Sequence, residues 1–154
     1  MEYAIAKWLH VLSSTVLFGT GIGSAYYFLA ATLSRDARTA ATVAGYVVAA
    51  DWLFTATTAV AQPLTGVWMM RVAGMGMDVP WLRASVYLYG LAIACWLPVV
   101  WLQIRLRDLA RQAAGAGLPL SGDYWRYFRA WFGLGVVAFL AFVAIFYLMT
   151  VKPS

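Results

Sequence analysis

The chain has 154 residues, of which 64% are hydrophobic, 16% aromatic and only 11% charged. A soluble domain is nearer half apolar and a quarter charged, so too little polar surface exists here to coat a water-soluble globule. The formal charge of +5 does not mark a nucleic-acid binder, because Lys and Arg flank apolar runs and never cluster with exposed aromatics in a soluble segment.

The long apolar runs read as transmembrane helices. The expected fold is therefore all-α: one domain over residues 1–154, an integral membrane four-helix bundle with antiparallel up-down neighbours, embedded in a lipid bilayer. The first helix is predicted over about residues 3–33. It has no positive leader and is too long for a signal peptide, so it should stay as a helix. Ser34-Arg35-Asp36-Ala37-Arg38 forms the first turn. The second run covers about residues 39–70. At about 1.5 Å per residue it would reach roughly 48 Å, against a hydrocarbon core of about 30 Å. Either it projects from the membrane or it breaks near Asp51. A loop containing Gly and Met follows over residues 71–80. The third helix is predicted over about residues 81–106, with a kink at Pro98. Residues 109–123 form the longest polar connection. The fourth helix spans about residues 124–151, before Lys152-Pro153.

Four crossings put both termini on one side, together with the loop between helices two and three. That side carries four cations, Lys7, Arg71, Arg83 and Lys152; the other carries seven, Arg35, Arg38, Arg105, Arg107, Arg111, Arg126 and Arg129. The positive-inside rule makes the second side cytoplasmic. A bacterial inner membrane with both termini periplasmic is the expected setting. Trp8, Trp68, Trp81, Tyr124 and Trp125, near run ends, fit interfacial aromatic belts.

Ionisable side chains in a membrane span usually mark a site, and the one histidine, His10, lies inside the first run. Residues three and four apart share a helix face. On helix one this groups Lys7, His10, Ser14, Gly21 and Ser24; on helix two it groups Asp51, Thr55, Thr58, Gln62, Thr65 and Met69. Such faces should point into the bundle, and Gly19 with Gly23 forms a small-xxx-small pair that would permit close approach. Helices one and two are therefore expected to pack antiparallel through these stripes. Gln62, Thr65 and Met69 then fall at the depth of His10, with Lys7, Arg71 and Arg83 nearer the surface. Asp51 goes to the opposite end.

A neutral imidazole is a common ligand for metals and heme iron. His10 is accordingly the candidate metal ligand. Lys7, Ser14, Gln62, Thr65, Met69, Arg71 and Arg83 are candidate cofactor-binding neighbours, with the cations placed to meet propionates. No second histidine exists, so the iron would be five-coordinate or take Met69 or Met149 as sixth ligand. The other reading makes His10 a helix-packing hydrogen bonder to Gln62 or Thr65. A second constellation, Met69-Met70-Arg71-Val72-Ala73-Gly74-Met75-Gly76-Met77-Asp78, could serve Cu(I), which favours thioethers. Cys95 is the one cysteine, which rules out an intrachain disulfide and a Cys-pair metal site. No hydrolase triad, phosphate loop or zinc motif is present.

The order of Lys7-Trp8-Leu9-His10 with Gly19 and Gly21, then Gln62-Pro63-Leu64-Thr65-Gly66, then Trp81-Leu82-Arg83 resembles domain-of-unknown-function family 2269, small four-helix integral membrane proteins. A looser similarity is to the HemJ-type membrane protoporphyrinogen oxidases, carried by the helix-one histidine, a Pro-x-x-Gly-like helix two, the Trp-Leu opening of helix three and the closing Val151-Lys152-Pro153. Copper-resistance membrane proteins of the CopD type look similar at a still looser level. The HemJ-type resemblance implies heme b on His10. A heme-dependent membrane oxidoreductase would follow, with an electron-transfer partner. That family's helix-three lysine falls at Ser85 here, with Arg83 the nearby cation. A homodimer could bring two copies of His10 together. Three readings stand: heme b in a redox role, copper handling by the outer methionines with His10, and a cofactor-free accessory subunit.

Overall fold

The computed structural model describes residues 1–153. Four helices long and apolar enough to cross a membrane follow one another: α1 (Glu2–Leu33), α2 (Ala37–Ala73), α3 (Pro80–Ala116) and α4 (Gly122–Val151). Residues 34–36, 74–79 and 117–121 join them. Connections this short force consecutive helices to run antiparallel. One end of the bundle, the connection end, holds residues 34–36 and 117–121. The other, the terminal end, holds both termini and residues 74–79.

The helix ends have local causes. Asp36 caps α2 by accepting from the Arg38 and Thr39 amides at 3.4 and 2.8 Å, and Ser121 caps α4 by accepting from the Tyr124 amide at 3.2 Å. Gly74 and Gly117 stop α2 and α3 with φ near +63° and +65°, the left-handed conformation that glycine adopts without a Cβ clash. The next amides then reach back, Met75 N to Met70 O at 3.0 Å and Leu118 N to Ala113 O at 2.9 Å.

Two boundaries differ from the sequence expectation. Helix α2 neither stops at residue 70 nor breaks near Asp51. Its 37 residues, about 55 Å at 1.5 Å each, run continuously through a π turn at Asp51–Thr55, where the Ala56 amide donates to the Asp51 carbonyl. Helix α3 continues ten residues past 106 to Ala116. Hydropathy falls there, but Arg, Gln, Leu and Ala are all good helix formers, so the segment stays helical until Gly117.

The core sits at the connection end. The α2 face of Ala37, Ala40, Ala41 and Ala44 lets α3 approach closely, against Leu102, Leu106, Ala110 and Ala113. On the other side Phe28, Phe128 and Trp131 pack ring to ring, with Phe28–Trp131 centroids 5.0 Å apart. Thr32 and Tyr124, both fully buried, share a hydrogen bond of 2.8 Å between α1 and α4. Further toward the terminal end α1 and α4 meet through aromatic side chains, Phe18 lying 5.7 Å from Phe139 and 5.0 Å from Phe146. Gly19 and Gly23 do not serve close approach: a Cβ on either would meet nothing within 4 Å. The helices are spaced by side chains at that level, and the glycines face open space.

Candidate functional site

The π turn is where α2 changes partner. Before it, α2 packs mainly on α3; after it, on α1. The second half of α2 therefore presents Gln62 and Thr65 to the face of α1 that carries His10 and Ser13.

Three hydrogen bonds cross this contact and a fourth, within α1, supports them. Gln62 Nε2 donates to the His10 carbonyl at 2.9 Å and to Ser13 Oγ at 2.6 Å. Ser13 Oγ donates to the His10 carbonyl at 3.1 Å. His10 Nδ1 lies 2.8 Å from Thr65 Oγ1. The hydrogen of that last bond can sit on either atom, according to the tautomer of the ring. A threonine hydroxyl has one hydrogen, and Thr65 Oγ1 has three acceptors in reach: His10 Nδ1, the Ala61 carbonyl at 2.7 Å and the Gln62 carbonyl at 3.2 Å. With the hydroxyl turned to a carbonyl, Thr65 is the acceptor and His10 Nδ1 the donor. In a neutral imidazole this leaves Nε2 with its lone pair and no proton. A hydrogen bond at Nδ1 that fixes ring orientation and tautomer is the arrangement metal-ligating histidines use. Gly66 lies against the ring edge: a Cβ there would stand 3.6 Å from His10 Cε1.

Pro63 adds a polar requirement. It has no N–H, so the Ala59 carbonyl one turn earlier loses its helical donor. Tyr89 of α3 supplies the replacement, its hydroxyl donating to the Ala59 oxygen. In lipid every backbone polar group needs such a partner.

The other candidate residues divide sharply. Ser14 lies on the same face but turns its hydroxyl to the Val11 carbonyl of its own helix at 2.8 Å; its neighbour Ser13 makes the contact with Gln62. Met69 and Met149 are half-buried on α2 and α4. Lys7, Arg71 and Arg83 are exposed and stand free of any ion pair among the described residues. Met75 is half-buried and Met77 exposed in the connection after α2. Among the described residues no three or more His, Cys, Asp or Glu side chains converge as a metal cage. Residue spacing did not reveal Ser13, Gly66 or Tyr89. The Tyr89 contact had one available signal, the missing N–H of Pro63.

The terminal end is tied at its rim by two side-chain contacts. Trp68 Nε1 donates to Glu2 Oε1 at 2.9 Å, and Lys152 Nζ lies 5.5 Å from the Trp81 ring centroid. Four long apolar helices with a polar clamp between two of them define an integral membrane four-helix protein. The chain belongs to the family described as predicted integral membrane protein (DUF2269), which it matches over residues 4–153. No curated protein and no solved structure matches it, so the HemJ-type and CopD-type likenesses rest on the quoted motifs alone.

Proposed function

We propose that this integral membrane protein binds heme b through Nε2 of His10 and serves a redox role. The observation that carries the reading is the Nδ1–Thr65 hydrogen bond of 2.8 Å; with Nδ1 as its donor, Nε2 is the free acceptor nitrogen. The residues fit the group in three respects. The ring is held through Nδ1 by Thr65, as in metal-ligating histidines. Gly66 places no side chain over its edge. Lys7, Arg71 and Arg83 are unpaired and exposed near the terminal end, which suits them to propionate carboxylates. Heme bound there would supply one-electron chemistry; the chain's own part is to hold the imidazole, fix its tautomer and offer the cations. On the positive-inside count this end faces the periplasm.

The second reading is a cofactor-free accessory subunit, in which the three hydrogen bonds between the helices serve only to lock α1 to α2. It is favoured by how completely Gln62 and Thr65 are used within the clamp. An absorption spectrum separates the two. The detergent-purified protein supplied with heme b should show a Soret band that His10→Ala weakens or shifts, with helix content unchanged. A protein that stays colourless with heme present, or an identical spectrum in His10→Ala, leaves the accessory reading. Retention of Cu(I) that is lost in the Met75→Ala, Met77→Ala double variant would instead point to copper handling.

A further inference from the structure

Toward the connection end the chain carries seven arginines against three carboxylates, Asp36, Asp108 and Asp123. Two of those carboxylates are already engaged. Asp108 pairs with Arg107 at 2.9 Å, the one ion pair among the described residues. Asp36 accepts from the Thr39 amide and hydroxyl. The third, Asp123, stands in the first turn of α4. Six arginines at this end are therefore without an ion-pair partner among the described residues, and an excess of one sign calls for a partner of the other.

Two of these arginines share a groove. Arg38, Thr42, Gly45 and Tyr46 of α2 line it with Arg111 and Ala114 of α3, around an open cavity of about 500 Å³. The Arg111 guanidinium lies over the α2 backbone: a Cβ on Gly45 would stand 3.5 Å from its Nη2. Thr42 turns its hydroxyl to the Arg38 carbonyl at 2.9 Å. The lining holds two cations and, among the described residues, no carboxylate. Its depth follows from helix length. Helices α2 and α3 have 37 residues each, about 55 Å at 1.5 Å per residue, against a hydrocarbon core of about 30 Å. Arg105, Arg107 and Arg111 mark the part of α3 that leaves the hydrocarbon at this end, and the Arg111–Gly45 contact sets the groove of α2 at the same level. That is the depth of lipid headgroups, and exposed Tyr46 suits such an interface.

We propose that this groove between α2 and α3 binds the headgroup phosphate of one anionic phospholipid, with Arg38 and Arg111 as its cations. Guanidinium groups pair with phosphate through charge-assisted, often bidentate hydrogen bonds, and basic pockets between transmembrane helices are a recurrent form of lipid headgroup site. Apolar surface continues the groove into the hydrocarbon. Leu53, two turns beyond Tyr46 on α2, and Leu97, four turns before Arg111 on α3, are exposed on the same helix faces. Acyl chains can lie on these residues, from which free phosphate would gain nothing. The positive-inside count makes this the cytoplasmic leaflet, where anionic lipids draw basic segments to the membrane surface. The groove is at the opposite end of the bundle from the His10 clamp, and neither reading depends on the other.

Native mass spectrometry of the full chain, delipidated in detergent, tests this with dioleoyl phosphatidylglycerol, dioleoyl phosphatidylcholine and inorganic phosphate as probes. The wild type should retain one phosphatidylglycerol several-fold better than phosphatidylcholine, which has the same chains and no net charge. The Arg38→Gln, Arg111→Gln double variant should fall to the phosphatidylcholine level. The Arg126→Gln, Arg129→Gln double variant loses equal charge outside the groove and should retain phosphatidylglycerol as the wild type does. Equal retention of the two lipids by the wild type overturns the proposal, and so does an equal loss in both double variants, which would mark diffuse attraction to a basic surface. Inorganic phosphate that displaces phosphatidylglycerol at equal concentration overturns it in favour of a free-anion site. If the Arg38→Gln, Arg111→Gln chain does not fold, Gly45→Leu serves in its place. It fills the groove and keeps both charges; it should lower retention several-fold, and unchanged retention overturns the proposal.

Discussion

At the connection end the bundle is closed by contact between apolar side chains: alanines that draw α2 onto α3, and the rings of Phe28, Phe128 and Trp131 between α1 and α4. At the terminal end α1 and α2 are joined by hydrogen bonds among His10, Ser13, Gln62 and Thr65, while Gly19 and Gly23 meet nothing. In lipid, apolar faces gain little by meeting each other, so tight association needs either close packing or polar pairing. This chain uses one at each end. The packed end buries its alanines and rings against one another. The clamped end holds a fixed imidazole beside half-buried and exposed positions, which is where chemistry can be placed.

Substitutions at the two ends should therefore differ in kind and in size. The largest effect is expected at the packed end. Trp131→Ala removes a side chain that is 4% exposed, and core aromatic truncations of this sort cost about 3–5 kcal/mol. Reversible unfolding in mixed micelles should show that loss with the His10 region unchanged. A cost under about 1 kcal/mol would remove the claim that this end carries the stability.

An intermediate effect is expected where α3 reaches the second half of α2. Tyr89→Phe keeps the ring but deprives the Ala59 carbonyl of its donor, and a buried unsatisfied acceptor costs about 1–3 kcal/mol. Restoring the helical donor should offset the loss, so Pro63→Ala should rescue Tyr89→Phe. Additive losses in the double variant would show that the two residues are not linked in this way.

The smallest effect belongs to the cap at the connection end. The Thr39 hydroxyl, and after it the Thr39 amide, hold the fully exposed Asp36 carboxyl below the usual carboxylate range. A carboxyl depressed in the folded state stabilises above its unfolded pKa, and that contribution is lost as pH falls through the folded value. Acidification below about pH 4, the ordinary aspartate range, should speed amide exchange at Thr39 and leave the exchange of Thr65 unaltered. Equal acceleration at both sites would show that the acid response is not local to the cap.

Much of this arrangement is legible in the residues. Four apolar runs and short connections dictate four antiparallel helices, and helical spacing puts Gln62 and Thr65 opposite His10. The spacing rule is blunter at the level of single atoms. It puts Ser14 on the His10 face and passes over Ser13, yet Ser14 spends its hydroxyl on Val11 while Ser13 meets Gln62. It reads Gly19 and Gly23 as a packing motif, because spacing carries no information on how far apart aromatic side chains such as Phe18 hold the helices. The π turn is equally hidden: it inserts itself into an unbroken helical pattern, and only the change of partner along α2 shows its effect. Hydropathy ends α3 at residue 106 because it measures affinity for lipid, whereas helix formation there follows intrinsic propensity.

The central claim concerns one proton on one ring, and the single histidine makes it directly observable. Protein labelled with ¹⁵N at histidine gives imidazole signals from His10 alone. In detergent at neutral pH the account predicts a protonated Nδ1 and a bare Nε2, with the Nε2 signal shifting or broadening on addition of heme b and the pattern redistributing between tautomers in Thr65→Val. A protonated Nε2 with a bare Nδ1 in the wild type would contradict it, because the nitrogen proposed to bind iron would already carry a hydrogen.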